Sequence, residues 1–181
     1  MMIPEPLDAG YFPKRTVKRP DWLKASEVEE ICSVSLCFSD GPSDWIQKWL
    51  HNDLGFYDNE DLAWQVAGTD RSGFEMYAYK IYPLMFAKGN ASAWQVPTRV
   101  RLNLSGFDFL GFDMANKTDG VSNFECSPLS CNSCAEQVPV NKYCLVEEVT
   151  DAYRACLAFS TEEPEPGPYY LFQVYRRRPG G

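Results

Sequence analysis

Phe74-Glu75-Met76-Tyr77-Ala78-Tyr79-Lys80-Ile81-Tyr82-Pro83-Leu84-Met85-Phe86 is the stretch on which the fold turns. It is aromatic and β-prone throughout, and a turn at Asp70-Arg71-Ser72-Gly73 introduces it. Pro83 has no amide proton for a ladder, so the strand either stops there or lies at a sheet edge beyond it.

Working outward, Val100, Leu102 and Leu104 alternate with Arg99, Arg101 and Asn103, which predicts a half-buried strand. Ser105-Gly106 signals a turn, from which Phe107 to Ala115 pairs back as a further strand. A last strand is predicted over Tyr169–Arg176, after an acidic, proline-rich connector at 162–168. Towards the N-terminus, Ile31 to Phe38 alternates in the same way and predicts a first strand.

Helices fall between these strands. Ser43 is a candidate cap for a helix carrying Trp45, Ile46, Trp49 and Leu50 on one side. Asn59–Ala67 is a short helix with Glu60 and Asp61 in its first turn and Gly68 after its end. Glu147–Phe159 is the longest, with Val149, Ala152, Tyr153, Cys156 and Leu157 at helical spacing.

Strands and helices arrive in blocks instead of strict alternation. The predicted class is therefore α+β, a mainly antiparallel sheet of about five strands with two to four helices packed on one face. Residues 1–20, with Pro4, Pro6, Pro13 and Pro20, read as an extended arm to a single domain over 21–176, and 177–181 as a flexible tail.

At 181 residues the chain suits one domain with a real core, and 14% aromatic residues supply large buried areas without a disulfide or metal. Its net charge of −8 is uneven: +2 over residues 1–20, +3 from Arg176, Arg177 and Arg178, and −13 between. An acidic body repels phosphate backbones and favours a basic partner, which argues against nucleic acid and for a protein. No secretory signal or membrane-length apolar run is visible, so no membrane association is expected. Seven cysteines, an odd number, suit free thiols in a reducing cytoplasm better than a disulfide framework.

The cysteines are the chain's one concentrated chemical oddity. Cys32 and Cys37, an odd number apart on the predicted strand, point to opposite faces, and Cys156 lies on the buried side of the last helix. That leaves Cys126, Cys131, Cys134 and Cys144. Zinc takes four thiolates in a tetrahedron, and the Cys131-x-x-Cys134 pair has a suitable spacing, but no second tight pair accompanies it. A reactive thiol is the other possibility, if Ser130 or Asn132 caps a short helix next to Cys131 or Cys134. The single histidine, His51, is far away in sequence, and its expected role is to stabilise a helix C-terminus.

Around these thiols, Glu125, Cys126, Ser127, Ser130, Cys131 and Asn132 crowd polar side chains into a turn and helix start. Asp113, Asn116 and His51 complete the candidate binding surface. No phosphate loop, nucleophile elbow or HExxH motif occurs. The sequence thus leads to a small acidic, non-enzymatic binding protein without a cofactor. The alternative is a metal- or thiol-dependent protein, zinc being the candidate ion, centred on Cys126, Cys131, Cys134 and Cys144.

Overall fold

The computed structural model describes residues 2–37, 41–42, 50–69, 71–117, 124–162 and 164–180. Its framework is an antiparallel sheet of five strands. These are β1 (Leu7–Arg15), β4 (Phe74–Ala87), β5 (Asn90–Ala93), β6 (Phe107–Asn116) and β7 (Tyr169–Arg177). They run in the order β1-β4-β7-β6, with β5 paired to the end of β4. A separate ribbon joins β2 (Val17–Lys18) to β3 (Glu30–Ile31). The helices are α1 (Glu60–Ala67), the single turn α2 (Pro128–Cys131) and α3 (Val149–Glu162). The α+β class with a mainly antiparallel sheet is therefore the one the sequence predicts.

The stretch at 74–86 is the central strand. It runs through Pro83 instead of ending there, because the register against β7 shifts between Ile81 and Met85 and spares the ladder a donor at that point. Lys88 and Gly89, at φ 50° and 73°, then turn the chain tightly into β5.

Register decides which side chains share a face. Ile81, Phe172 and Asp113 are paired across three strands, and alternation adds Tyr77, Tyr79, Val174, Phe12 and Lys14 to their face. Phe86, Leu171 and Met114 point the other way. There α3 covers them, with the Tyr153 ring set edge-on to Phe86 at 5.0 Å and Cys156 against Met114. α1, capped by the Asn59 side chain on the Leu62 amide, packs beside β1. On the Asp113 face the cover is irregular chain: Phe56 lies against Tyr79 at 5.0 Å, and Phe124 against Phe172 at 4.7 Å.

Two strand expectations change. Of the strand expected over 31–38, the described residues pair only within Glu30–Ile31, and from Cys32 to Cys37 the chain crosses the sheet face without a ladder partner; Phe38 lies outside the described residues. The alternating run at 99–104 is not a strand. Its amides bond to side chains of β1 instead, Leu102 N–H to Asp8 Oδ2 at 3.0 Å and Asn103 N–H to the Tyr11 hydroxyl at 2.7 Å. Accordingly, β6 pairs with β7 and not with that run. The helix expected from Ser43 lies outside the described residues up to Trp49, and Leu50, where description resumes, is not helical. Residues 7–15 of the extended arm form edge strand β1, and Arg177 at the start of the tail holds Glu60 through two nitrogens. No helix among the described residues is long and apolar enough to cross a membrane.

Candidate functional site, a three-thiol cluster

Asp113 is fully buried on β6, and both of its oxygens are used. Oδ2 accepts from the Ser33 hydroxyl and the Val34 amide, each at 2.7 Å. Oδ1 accepts from the Ser127 hydroxyl at 2.7 Å and the Met114 amide at 2.8 Å. One carboxylate thus ties the segment ahead of Cys37 to the segment after Cys126. Burial raises the Asp113 pKa, and these four bonds oppose the rise.

Lys14, 1% exposed, completes the anchorage. Its Nζ donates to the carbonyls of Ser33, Val34 and Ser35 at 2.6, 2.8 and 2.8 Å. Three carbonyls around one ammonium need a tight curl of backbone, which is why Ser33–Ser35 does not extend as a strand. Burial pushes the Lys14 pKa down to about 7, while the Asp113 charge acts to raise it.

The anchored segment delivers Cys37 to Cys126. Their sulfurs are 2.7 Å apart, and with Cys131 they form a group whose Sγ atoms all lie within 4.8 Å of one another. Cys37 is exposed and the other two are half-buried. Asn116 fixes Cys126: its Oδ1 accepts the Cys126 amide at 2.7 Å, and its Nδ2 donates to the Pro166 carbonyl at 2.6 Å. α2 fixes Cys131, whose amide closes the turn on the Ser127 carbonyl at 2.8 Å. Burial first, then bonding to Cys37 and the charges of Cys131 and Cys37, pushes up the Cys126 thiol. Burial followed by the Cys37 charge pushes Cys131 up to about 11. Cys126 and Cys131 are therefore held as neutral thiols, and a metal bound there would have to displace their protons.

The four-thiol set read from the sequence is not assembled. Cys126 and Cys131 come together, but with Cys37, and Cys134 and Cys144 stand outside the group. Cys134 is buried, its sulfur facing the Asn132 carbonyl at 3.8 Å, and burial pushes its thiol up to about 11. Cys144 is buried in a positive-φ turn at 62°. Alternation along the predicted strand puts Cys37 on the opposite face from Cys32 and so leaves it out of the set, but that strand ends at Ile31. No sequence signal marks Ser33–Ser35 as curled, because the burial of Lys14 that draws their carbonyls together is set by the fold.

The other candidates are mostly structural. Asp113 and Asn116 are buried positioning residues, and Ser127 and Ser130 are buried too. Asn132 donates to Glu165 Oε1 at 2.9 Å. The Glu125 amide donates to the Asn116 carbonyl at 3.0 Å, extending the grip on Cys126. His51 is not among the clustered ligands, and its Nδ1 lies 3.0 Å from the Asn52 carbonyl. Cys131 closes α2 instead of opening a helix, so neither Ser130 nor Asn132 caps a helix that would activate it.

No family model, curated protein or solved structure matches the chain.

Proposed function

We propose that this chain is a non-enzymatic binding protein whose working centre is a soft-metal site made by Cys37, Cys126 and Cys131. The convergence of three sulfurs from segments 89 residues apart carries the reading. Clustered thiolates select soft or borderline ions, and zinc accepts three such ligands with its fourth position left to water or another group. Tetrahedral zinc–sulfur bonds of about 2.3 Å set sulfurs roughly 3.8 Å apart. The three could reach that spacing if Cys37, the exposed member, draws back from Cys126 by about 1 Å and the other separations, none above 4.8 Å, settle near the same value. A reducing cytoplasm belongs to the same proposal, since the site needs free thiols.

Elemental analysis of the full chain purified under argon tests it. About one zinc per chain is expected, lost in Cys37→Ser. Metal-free protein that also fails to take up added zinc would refute it.

A second reading is docking to a basic protein, with nucleic acid disfavoured by the same charge. It is favoured by the net charge of −8 and by Phe109, 47% exposed with the Tyr175 ring 5.3 Å away. A partner that binds at low salt and is lost with Phe109→Ser would support it; binding unaffected by either change would count against it.

A further inference from the structure

The three sulfurs are not equivalent, and the difference points to a second chemistry. Cys37 and Cys126 stand 2.7 Å apart. That lies between a disulfide bond of about 2.05 Å and the roughly 3.8 Å of two zinc ligands. The two sulfurs are close enough that a movement of less than about 1 Å by the exposed Cys37 side chain brings them to bonding distance.

We propose that Cys37 and Cys126 form a dithiol–disulfide switch, driven by a peroxide, that governs occupancy of the three-thiol site. The metal half of this inference rests on the proposed soft-metal site; the disulfide half does not. Cys37 is the entry point because it alone of the three is exposed. Its thiolate attacks one peroxide oxygen, the O–O bond breaks, and the departing oxygen leaves as water after taking up a proton. The sulfenic acid so formed is attacked by the Cys126 sulfur. A sulfur–sulfur bond forms, the S–O bond breaks, and a second water leaves with the Cys126 proton. Two thiols have lost two electrons, and one hydrogen peroxide has become two waters.

Oxidation removes two of three ligands from the site. Cys131, the third, is held in α2 through its amide on the Ser127 carbonyl and remains a thiol. One thiolate does not retain zinc against water, so oxidation releases the metal and reduction restores the site. The anchorage of Ser33–Ser35 on Lys14 and Asp113 keeps Cys37 within reach of Cys126 in either state.

The test uses the full chain in two forms, metal-free and zinc-loaded, each treated with one equivalent of hydrogen peroxide. Free thiols are then alkylated and the peptides analysed by mass spectrometry. Metal-free protein is expected to lose two of its seven thiols to a Cys37–Cys126 crosslink. The crosslink should persist in Cys131→Ser and vanish in Cys37→Ser, whose exposed position spares the fold. Zinc-loaded protein should release about one zinc per crosslink formed, and recapture it after reduction. Cys37 found in sulfinic acid, or crosslinked elsewhere, overturns the switch. Zinc binding without a crosslink leaves the metal site standing and refutes the switch. A crosslink in a protein that never takes up zinc keeps the disulfide couple and refutes its control of a metal.

Discussion

Lys14 and Asp113 grip the same three-residue curl. The Lys14 ammonium takes the carbonyls of Ser33, Val34 and Ser35, and the Asp113 carboxylate takes the Ser33 hydroxyl and the Val34 amide. Both residues are buried, so each charge depends on the polar groups of this curl, and the curl on both charges. Asp113→Asn removes the counter-charge and leaves one arm facing an amide that cannot accept. It is expected to cost about 3 kcal/mol in urea unfolding. Combined with Lys14→Met the loss should be clearly smaller than the sum of the single losses, since the two act on one unit. Additive losses would show that the residues act independently.

Stability should depend on pH through Lys14. Its pKa is held at about 7 in the folded chain, against roughly 10.4 when unfolded. Between those values the unfolded chain binds the extra proton, so stability rises with pH, at a slope approaching about 1.4 kcal/mol per pH unit. Asp113 acts in the opposite sense and lower down. Its raised pKa means that the folded state holds the extra proton just above the ordinary carboxylate range, and stability falls as pH rises through that window. Denaturant unfolding from pH 7 to 10 checks the first effect, and Lys14→Met should flatten the slope.

Ser127→Ala is expected to loosen the cluster without emptying it. The variant removes one charge-assisted bond to Asp113, worth about 2 kcal/mol, and frees the segment that carries Cys126 and Cys131. Peroxide-driven crosslinking of Cys37 to Cys126 should slow, while thiol counts under denaturing conditions stay unchanged. An unaltered rate would show that Asp113 does not position the sulfurs.

Arg177 closes the far end of the sheet onto α1. Its Nε and Nη2 engage the Glu60 carboxylate at 2.9 and 2.6 Å, with the guanidinium 4.7 Å over the Phe107 ring. A planar fork of this kind is not reproduced by an ammonium. Arg177→Lys should cost about 1 kcal/mol and Arg177→Ala somewhat more, both read from thermal unfolding. No loss in either variant would contradict the pairing.

Crosslinking Cys37 to Cys126 closes a loop spanning 89 residues. By chain entropy such a loop stabilises by about 4.6 kcal/mol. Oxidised protein should therefore unfold at higher urea than reduced protein, and Cys37→Ser should abolish the difference.

Much of the fold was legible because local pattern and tertiary role agree. The run at 74–86 is the central strand, 169–176 its neighbour, and the spacing of Ala152, Tyr153 and Cys156 sets the buried side of α3. The runs at 31–38 and 99–104 misled for one reason. Alternating apolar residues report a half-buried segment, and side chains can satisfy its amides as well as a neighbouring strand can. Tyr11, Asp8 and Asp113 do so in these two places. The site was half legible: Cys126 and Cys131 are neighbours in sequence and in space. Cys37 reaches them only through a curl set by Lys14 and Asp113, residues far from it along the chain, and no local spacing encodes that.

Cobalt titration of the reduced chain under argon, comparing wild type with Cys37→Ser and Cys134→Ala, tests the thiol centre most directly. Thiolate-to-cobalt charge-transfer absorption should saturate at one ion per chain in wild type and in Cys134→Ala, and be lost in Cys37→Ser. Loss in Cys134→Ala with retention in Cys37→Ser, or no such absorption in wild type, would contradict the assignment of Cys37, Cys126 and Cys131 as the metal ligands.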